Sequence, residues 1–288
     1  MSLPINDECI LCQLNRNTAL ARKFGEKAAT DTLREMMRLY LDADPADSSP
    51  VVAARIDKML QQRLGIEEDS YAQDKAAANR FVLERMDTLR QAAQIAPDPV
   101  YAGLQLAILG NYLDFSGLKG QVSFDKLDEM IASAMEMELD RDCYRNLCED
   151  LSKAKNLLFV TDNAGDIGFD RVLAEQIEKK YPHLAITFLV RGGIAANDAT
   201  REDAMEMGIP YPIIDNGNRL AGTDLRIMSK EARAVWDSAD VILSKGLGNI
   251  ETLYGCGYNI YYAFLVKCQR FVSLFQKPLM TPMLVKER

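Results

Sequence analysis

Apolar positions recur every three or four residues through the first part of the chain. They run from Ile10 to Ala21 and return at Leu33, Met36, Met37, Tyr40 and Leu41, a spacing that predicts helices with one buried face. The stretch SPVVAARIDKMLQQRLG carries Ser49 to cap a helix, Pro50 in its first turn and Gly65 at its end. An alanine-rich helix is expected from Ala76 to Ile95, closed by APDPV, and Pro99 opens the next, VYAGLQLAILGNYLDF. Further helices are expected over Phe124 to Met137 and Asp142 to Lys153.

The texture changes after Lys155, where short apolar runs alternate with amphipathic stretches. Strands are expected at Leu157–Thr161, Ala185–Val190, Ile213–Ile214, Val241–Leu243 and Ile260–Leu265, and helices at Asp170–Lys180, Arg201–Met207 and Lys230–Ser238. Strands alternating with helices imply a mainly parallel sheet covered on both faces. The chain therefore reads as α/β: a helical N-terminal domain over 1–153 and a three-layer α/β domain over 154–288.

In such sheets ligands bind beyond the carboxyl ends of the strands, which directs attention to three loops. TDNAGD follows the first strand with Asp162 and Asn163, RGGIAAND follows the second with Asn197 and Asp198, and SKGLGN follows the strand at Val241 with Lys245, Gly246, Gly248 and Asn249. Carboxylate and amide oxygens are hard ligands suited to Mg²⁺ or Mn²⁺. A lysine beside exposed backbone N–H groups suits phosphate. Any one of these loops alone has a bland account, because Asp, Asn and Gly are favoured in turns. Three at corresponding strand ends favour metal-assisted phosphoryl chemistry.

Composition and missing motifs narrow the choice. The chain has 288 residues, 48% of them hydrophobic, enough for a sizeable core. Its net charge of -8 and pI near 4.9 argue against a nucleic-acid partner, since phosphate backbones are held by Lys and Arg. No apolar run reaches the length of a membrane span. Acids stand near the N-terminus where a signal peptide needs basic residues, so a cytoplasmic protein is expected. The single histidine, His183, falls just before a strand at the opposite edge of the sheet, which rules out a Ser-His-Asp triad or a multi-histidine zinc site. Water activation must then rest on metal and carboxylates. A P-loop, a G-x-G-x-x-G fingerprint and the D-x-D of aspartyl phosphatases are all missing.

The motifs taken in order resemble the DUF89 family of damage-control phosphatases, the ARMT1-like proteins. CILCQ, ILGNYLDF, TDNAGDIGFD, NDATREDA, SKGLGNIETL and LVKC carry the resemblance, and CxxC with the late Lys-Cys is similar to the prokaryotic subfamily. The resemblance implies a metal-dependent phosphatase and transfers no one substrate; a hydrolase of small phosphorylated metabolites, sugar phosphates or damaged cofactor-related phosphates, is expected. The same resemblance implies a divalent metal, Mn²⁺, Co²⁺, Ni²⁺ or Mg²⁺, held by Asp162, Asn163 and Asp198, with Lys245 on the phosphate. Asp166 stands where the family usually has Glu, so any role in positioning water is played by a side chain one methylene shorter. In the expected mechanism Lys245 and nearby N–H groups neutralise the phosphoryl oxygens, and Asp166 or Asp198 orients water.

The resemblance also implies that Asn111 and Asp114 face the cleft, where the bland account is a helix-end cap. Cys9, Cys12 and Cys268 form a possible cluster, either for metal or redox work or as buried small hydrophobes. The competing readings are an S-adenosylmethionine-dependent methyltransferase and a non-enzymatic metal- or redox-responsive binding protein. The first lacks the glycine-rich G-x-G turn after the first strand; the second has no need of Asp162, Asp198 and Lys245 together. Oligomeric state is not legible.

Overall fold

A computed structural model of the chain describes residues 2–66, 69–112 and 127–287. Before the sheet the described residues form eight helices: α1 (Asp7–Arg22), α2 (Glu26–Leu41), α3 (Ser49–Leu64), α4 (Ala72–Leu83), α5 (Met86–Gln94), α6 (Pro99–Tyr112), α7 (Leu127–Met135) and α8 (Arg141–Lys153). Gly65 ends α3 in the left-handed conformation at φ +61°, while the capping position falls on Ser48, one residue earlier than expected. Asp114 and the expected helix start at Phe124 lie outside the described residues.

The helix expected over Ala76 to Ile95 is two helices. No Gly or Pro breaks it. Arg85 leaves helical geometry, lays its guanidinium over the Phe81 ring at 4.0 Å and donates to the Phe81 carbonyl oxygen at 3.1 Å. That bond satisfies one of the carbonyls orphaned where α4 stops. The break lets α4 and α5 both lie against α9 (Asp166–Lys180).

The sheet contains β1 (Asn156–Val160), β2 (Ala185–Val190), β3 (Ile213–Asp215), β4 (Val241–Lys245), β5 (Ile260–Leu265) and β6 (Pro282–Lys286), in the order β3-β2-β1-β4-β5-β6. Strands β1 to β5 are parallel and β6 runs antiparallel beside β5. The crossovers carry α10 (Arg201–Glu206), α11 (Lys230–Ser238), α12 (Leu247–Leu253) and α13 (Gln269–Phe275). The elements β6, α12 and α13 were not anticipated. They are short, and their apolar residues are too few to show a period.

Period-two alternation sorts the strand residues into two cores. Leu157, Phe159, Phe188, Leu243 and Tyr261 face the layer of α5, α6, α8 and α9. Leu158, Val160, Ile242, Tyr262 and Phe264 face α11 to α13, where Trp236, Ile250 and Phe271 pack. The result is the three-layer arrangement. Residue 153 marks a change of secondary structure and no division of the core, since Phe81, Leu104, Ile108 and Leu147 share one cluster with the sheet. Helices α1 to α3 hold a small cluster of their own around Met36, Val52 and Ile56. Among the described residues no helix is long and apolar enough to cross a membrane.

Helices α6 and α9 approach closely because glycines line α6. A Cβ on Gly103 would lie 3.1 Å from Leu173 Cα, and one on Gly110 would lie 2.9 Å from the Phe169 ring. This contact brings the end of α6 over the start of α9, where the acidic turn lies.

Candidate functional site

The strand order reverses between β1 and β4, so their crossovers leave in opposite directions and a crevice opens at their carboxyl ends. Asp162 follows β1, and Lys245 is the last residue of β4. The turn after β1 and the loop after β2 are joined through their backbones: Ala199 N–H donates to Asp162 O at 2.7 Å, and Ala164 N–H to Asn197 O at 2.9 Å. Asn163 and Asp198 form an antiparallel bridge. Asp162, Asn163 and Asp198 are thereby held as neighbours, all buried.

Asn111 reaches down from α6 and donates to Asp162 Oδ2 at 2.6 Å, and Asn163 Nδ2 donates to the same oxygen at 3.0 Å. Arg191, the residue after β2, donates from Nε to Asp198 Oδ2 at 2.6 Å and from Nη1 to Thr223 Oγ1 at 3.0 Å. Gly246 makes room for Asp162. A Cβ there would lie 2.0 Å from Asp162 Oδ2, and its φ of +78° suits glycine.

Lys245 does not extend into the crevice. Its ammonium is fully buried between Asp166 Oδ1 at 2.9 Å and Asp170 Oδ1 at 2.7 Å. The expectation that Lys245 sits on the phosphate therefore loses its force, because two carboxylates already face it. Asp166 and Asp170 stand four apart on α9 and so share the face that meets β4. Asn249 also has work other than substrate contact. Its Nδ2 donates to Thr161 O at 2.9 Å and Lys245 O at 2.6 Å, and its Oδ1 accepts from Thr223 Oγ1 at 2.9 Å, clamping the ends of β1 and β4 together. The Gly246 N–H is occupied by Ala263 O at 3.1 Å, and a Cβ on Gly248 would meet Ala221 O at 2.4 Å. Both glycines serve close packing.

The electrostatics follow from this geometry. Four buried carboxylates, Asp162, Asp166, Asp170 and Asp198, face two buried cations, Lys245 and Arg191. Burial, reinforced by the charges of Asp198 and Asp166, pushes Asp162 up to about 7, although Lys267 and Arg191 oppose the rise. Burial also raises Asp166 against the pull of Lys245 and Lys267, and it raises Asp170 well above the carboxylate range. For Lys245 burial opposes the charge, but Asp166 and Asp170 outweigh it and keep the ammonium protonated. Second oxygens on Asp166 and Asp170, and Asn111 Oδ1, are buried without a hydrogen-bond partner. Surplus negative charge and orphaned oxygen acceptors fit a hard divalent cation. Among the described residues no three His, Cys, Asp or Glu side chains are placed to hold a metal, and the side chains of Asn111 and Asn163 both reach Asp162.

The match to known proteins accords with this arrangement. The model of the damage-control phosphatase ARMT1-like domain matches residues 5–281. The chain belongs to this family. Among similar proteins is an uncharacterized protein of Methanocaldococcus jannaschii, 29% identical over 280 residues, covering 93% of this chain and 90% of that protein. Damage-control phosphatases of Pyrococcus horikoshii, 26% identical, and Archaeoglobus fulgidus, 28% identical, each cover 92% of both partners. The crystal structure of a DUF89 family protein from P. horikoshii superposes with a TM-score of 0.85 at 23% identity, covering 99% of each chain, so the fold is that of the ARMT1-like proteins.

Among the described residues no three His, Cys, Asp or Glu side chains are placed to hold a metal, Cys9, Cys12 and Cys268 included, although Cys9 lies near enough to Cys268 for its charge to act on it. Cys9 is buried against Arg270 Nη1 at 3.3 Å and Glu251 Oε1 at 3.9 Å, Cys12 is exposed, Cys268 is half-buried, and all three are free thiols. Reasoning from sequence missed Asp170, Arg191, Lys267 and Thr223. Asp170 was detectable from its four-residue spacing to Asp166, and Arg191 from its place at a strand end. Thr223 lies in a long connection with no signal of its own.

Proposed function

We propose that this ARMT1-like chain is a divalent-metal-dependent phosphatase acting on small phosphorylated metabolites, of the sugar-phosphate or damaged-cofactor kind. The observation that carries the reading is the surplus of buried carboxylate at the β1/β4 crevice, where Asp162, Asn163 and Asp198 are joined by the backbone. These three would hold the cation. A divalent cation in such a site supplies Lewis acidity, polarising a phosphoryl oxygen and acidifying water.

The chain's own residues do the rest. Asn111 and Arg191 orient the carboxylates of Asp162 and Asp198. Lys245 keeps Asp166 and Asp170 in place beneath them. Asp166, with its free Oδ2 and raised proton affinity, is suited to hold or pass a proton. Lys267 is half-buried, and its charge reaches both Asp162 and Asp166. It is better suited than Lys245 to meet an incoming phosphate. Most phosphoryl-transfer catalysis is such positioning and charge stabilisation.

A screen of phosphate esters with Mn²⁺, Co²⁺, Ni²⁺ and Mg²⁺ tests the reading. Hydrolysis should require metal, and Asp162→Asn should reduce it by about a hundredfold or more while the protein stays folded. Metal-independent turnover, or full activity in that variant, would sink it.

A further inference from the structure

Asn79 lies on α4, more than eighty residues before the acidic turn, and is fully buried. Its side chain makes three hydrogen bonds, one to the turn after β1 and two to α10. Oδ1 accepts from Gly165 N–H at 2.7 Å. Nδ2 donates to Asp203 Oδ1 at 3.0 Å and to Glu206 Oε2 at 2.7 Å. Gly165 follows Asn163 by two residues. Asp203, at the start of α10, accepts from the Thr200 N–H and hydroxyl, each at 2.8 Å, and Thr200 follows Asp198 by two residues. Lys75, one turn before Asn79, holds the other Asp203 oxygen, Oδ2, at 2.7 Å, the oxygen that Thr200 also donates to. The packing is tight as well, since a Cβ on Gly165 would lie 2.9 Å from Ala78 Cβ.

One amide thus spans the turn that carries Asp162 and Asn163 and the loop that carries Asp198. The two loops are also joined directly, by the Ala199 N–H to Asp162 O and Ala164 N–H to Asn197 O bonds, and Asn79 adds a side-chain tie from a third element. We propose that Asn79, supported by Lys75, is a positioning residue that sets the distance between these two loops and thereby tunes cation affinity. The proposal rests on the metal reading given above. It assigns α4 a part in the site although α4 contributes no ligand.

The test is direct titration with Mn²⁺ alone, following the electron-paramagnetic-resonance signal of the free ion, so no substrate is involved. Asn79→Ala should weaken Mn²⁺ binding by about tenfold or more, the usual effect of removing a group that orients ligands. Asn79→Asp should do the same, because it sets a carboxylate against Asp203. The exchange N79D/D203N restores a donor facing an acceptor and should return affinity to within about threefold of wild type, Glu206 being exposed and free to swing away. A merely structural role would lower the melting temperature without moving affinity in the folded protein, and the exchange would not rescue binding. Wild-type affinity in both single variants overturns the inference, as does a loss that the exchange fails to reverse. Should Asn79→Ala not fold, Asn79→Asp and its exchange partner decide. If the wild-type chain takes up no Mn²⁺, the metal reading fails together with this inference; uptake indifferent to residue 79 defeats this inference alone.

Discussion

Replacing Lys245 with methionine removes one positive charge and almost no volume, so it isolates the charge from any cavity. In the wild type the ammonium lies 2.9 Å from Asp166 and 2.7 Å from Asp170, with no exposure at any of the three side chains beyond 1%. Breaking a buried pair by deleting one partner typically costs about 3–5 kcal/mol, because the remaining charge stays buried and uncompensated. Two carboxylates are orphaned here, which places the expected loss at the upper end at pH 8. Domains have about 5–15 kcal/mol in total, so the variant should be close to unfolding there. The loss should shrink in acid. Burial already raises Asp166 and Asp170 in the wild type, and without the cation their folded-state proton affinity rises further. The folded state then binds protons that the unfolded state has released. Stability is therefore greatest at low pH and falls, by up to about 1.4 kcal/mol per unit and group, as pH climbs from the ordinary carboxylate value towards the raised one. Urea denaturation followed by circular dichroism at pH 5.5 and 8, without added metal, reads both effects. Lys245→Met combined with Asp170→Asn should recover about 1–3 kcal/mol at pH 8, since the two residues are directly coupled. A Lys245→Met protein within about 0.5 kcal/mol of wild type at pH 8 would refute the reasoning. It would mean that the ammonium extends instead towards an incoming phosphate.

Two further outcomes follow from the same geometry. Gly110→Ala should destabilise the protein by about 1–3 kcal/mol, because the added methyl meets Asp166 and Phe169 where α6 crosses α9, and a lowered urea midpoint would show it. Glu251 is pushed up to about 7, chiefly by burial and against the pull of Arg270, so it favours the folded state while protonated. Wild-type stability should thus decline between its ordinary value of 4.5 and about 7, and Glu251→Gln should flatten that part of the profile; an unchanged slope would show that Glu251 titrates normally.

The five parallel strands were legible because each is built around an apolar run, whereas β6 was not anticipated. Ala185–Val190 and Ile260–Leu265 fall where the pattern places them, since a parallel strand covered on both faces is mostly apolar. The acidic turn was legible for a related reason. Asp162, Asn163 and Asp166, following such a run within six residues, lie at a strand end whatever the sheet order. The break at Arg85 was not legible, because it depends on how α4 and α5 lie on α9.

What the sequence alone determined, then, is the change from helices to five parallel strands, the family, and the residues that stand at those strands' ends. What only the tertiary structure decided is which of these groups face one another. Lys245 reads as a phosphate-binding lysine beside two glycines in the sequence, but α9 brings Asp166 and Asp170 over it. Asn249 looks like a ligand, but the meeting of β1 with β4 turns it into a clamp. Asn79 carries no local signal at all, and its role arises where α4 crosses two loops distant in sequence. The physical reason is common to all three. A local pattern records what a residue does within its own turn or strand, whereas the cost of burying a charge or amide is offset by partners that the fold brings in from elsewhere.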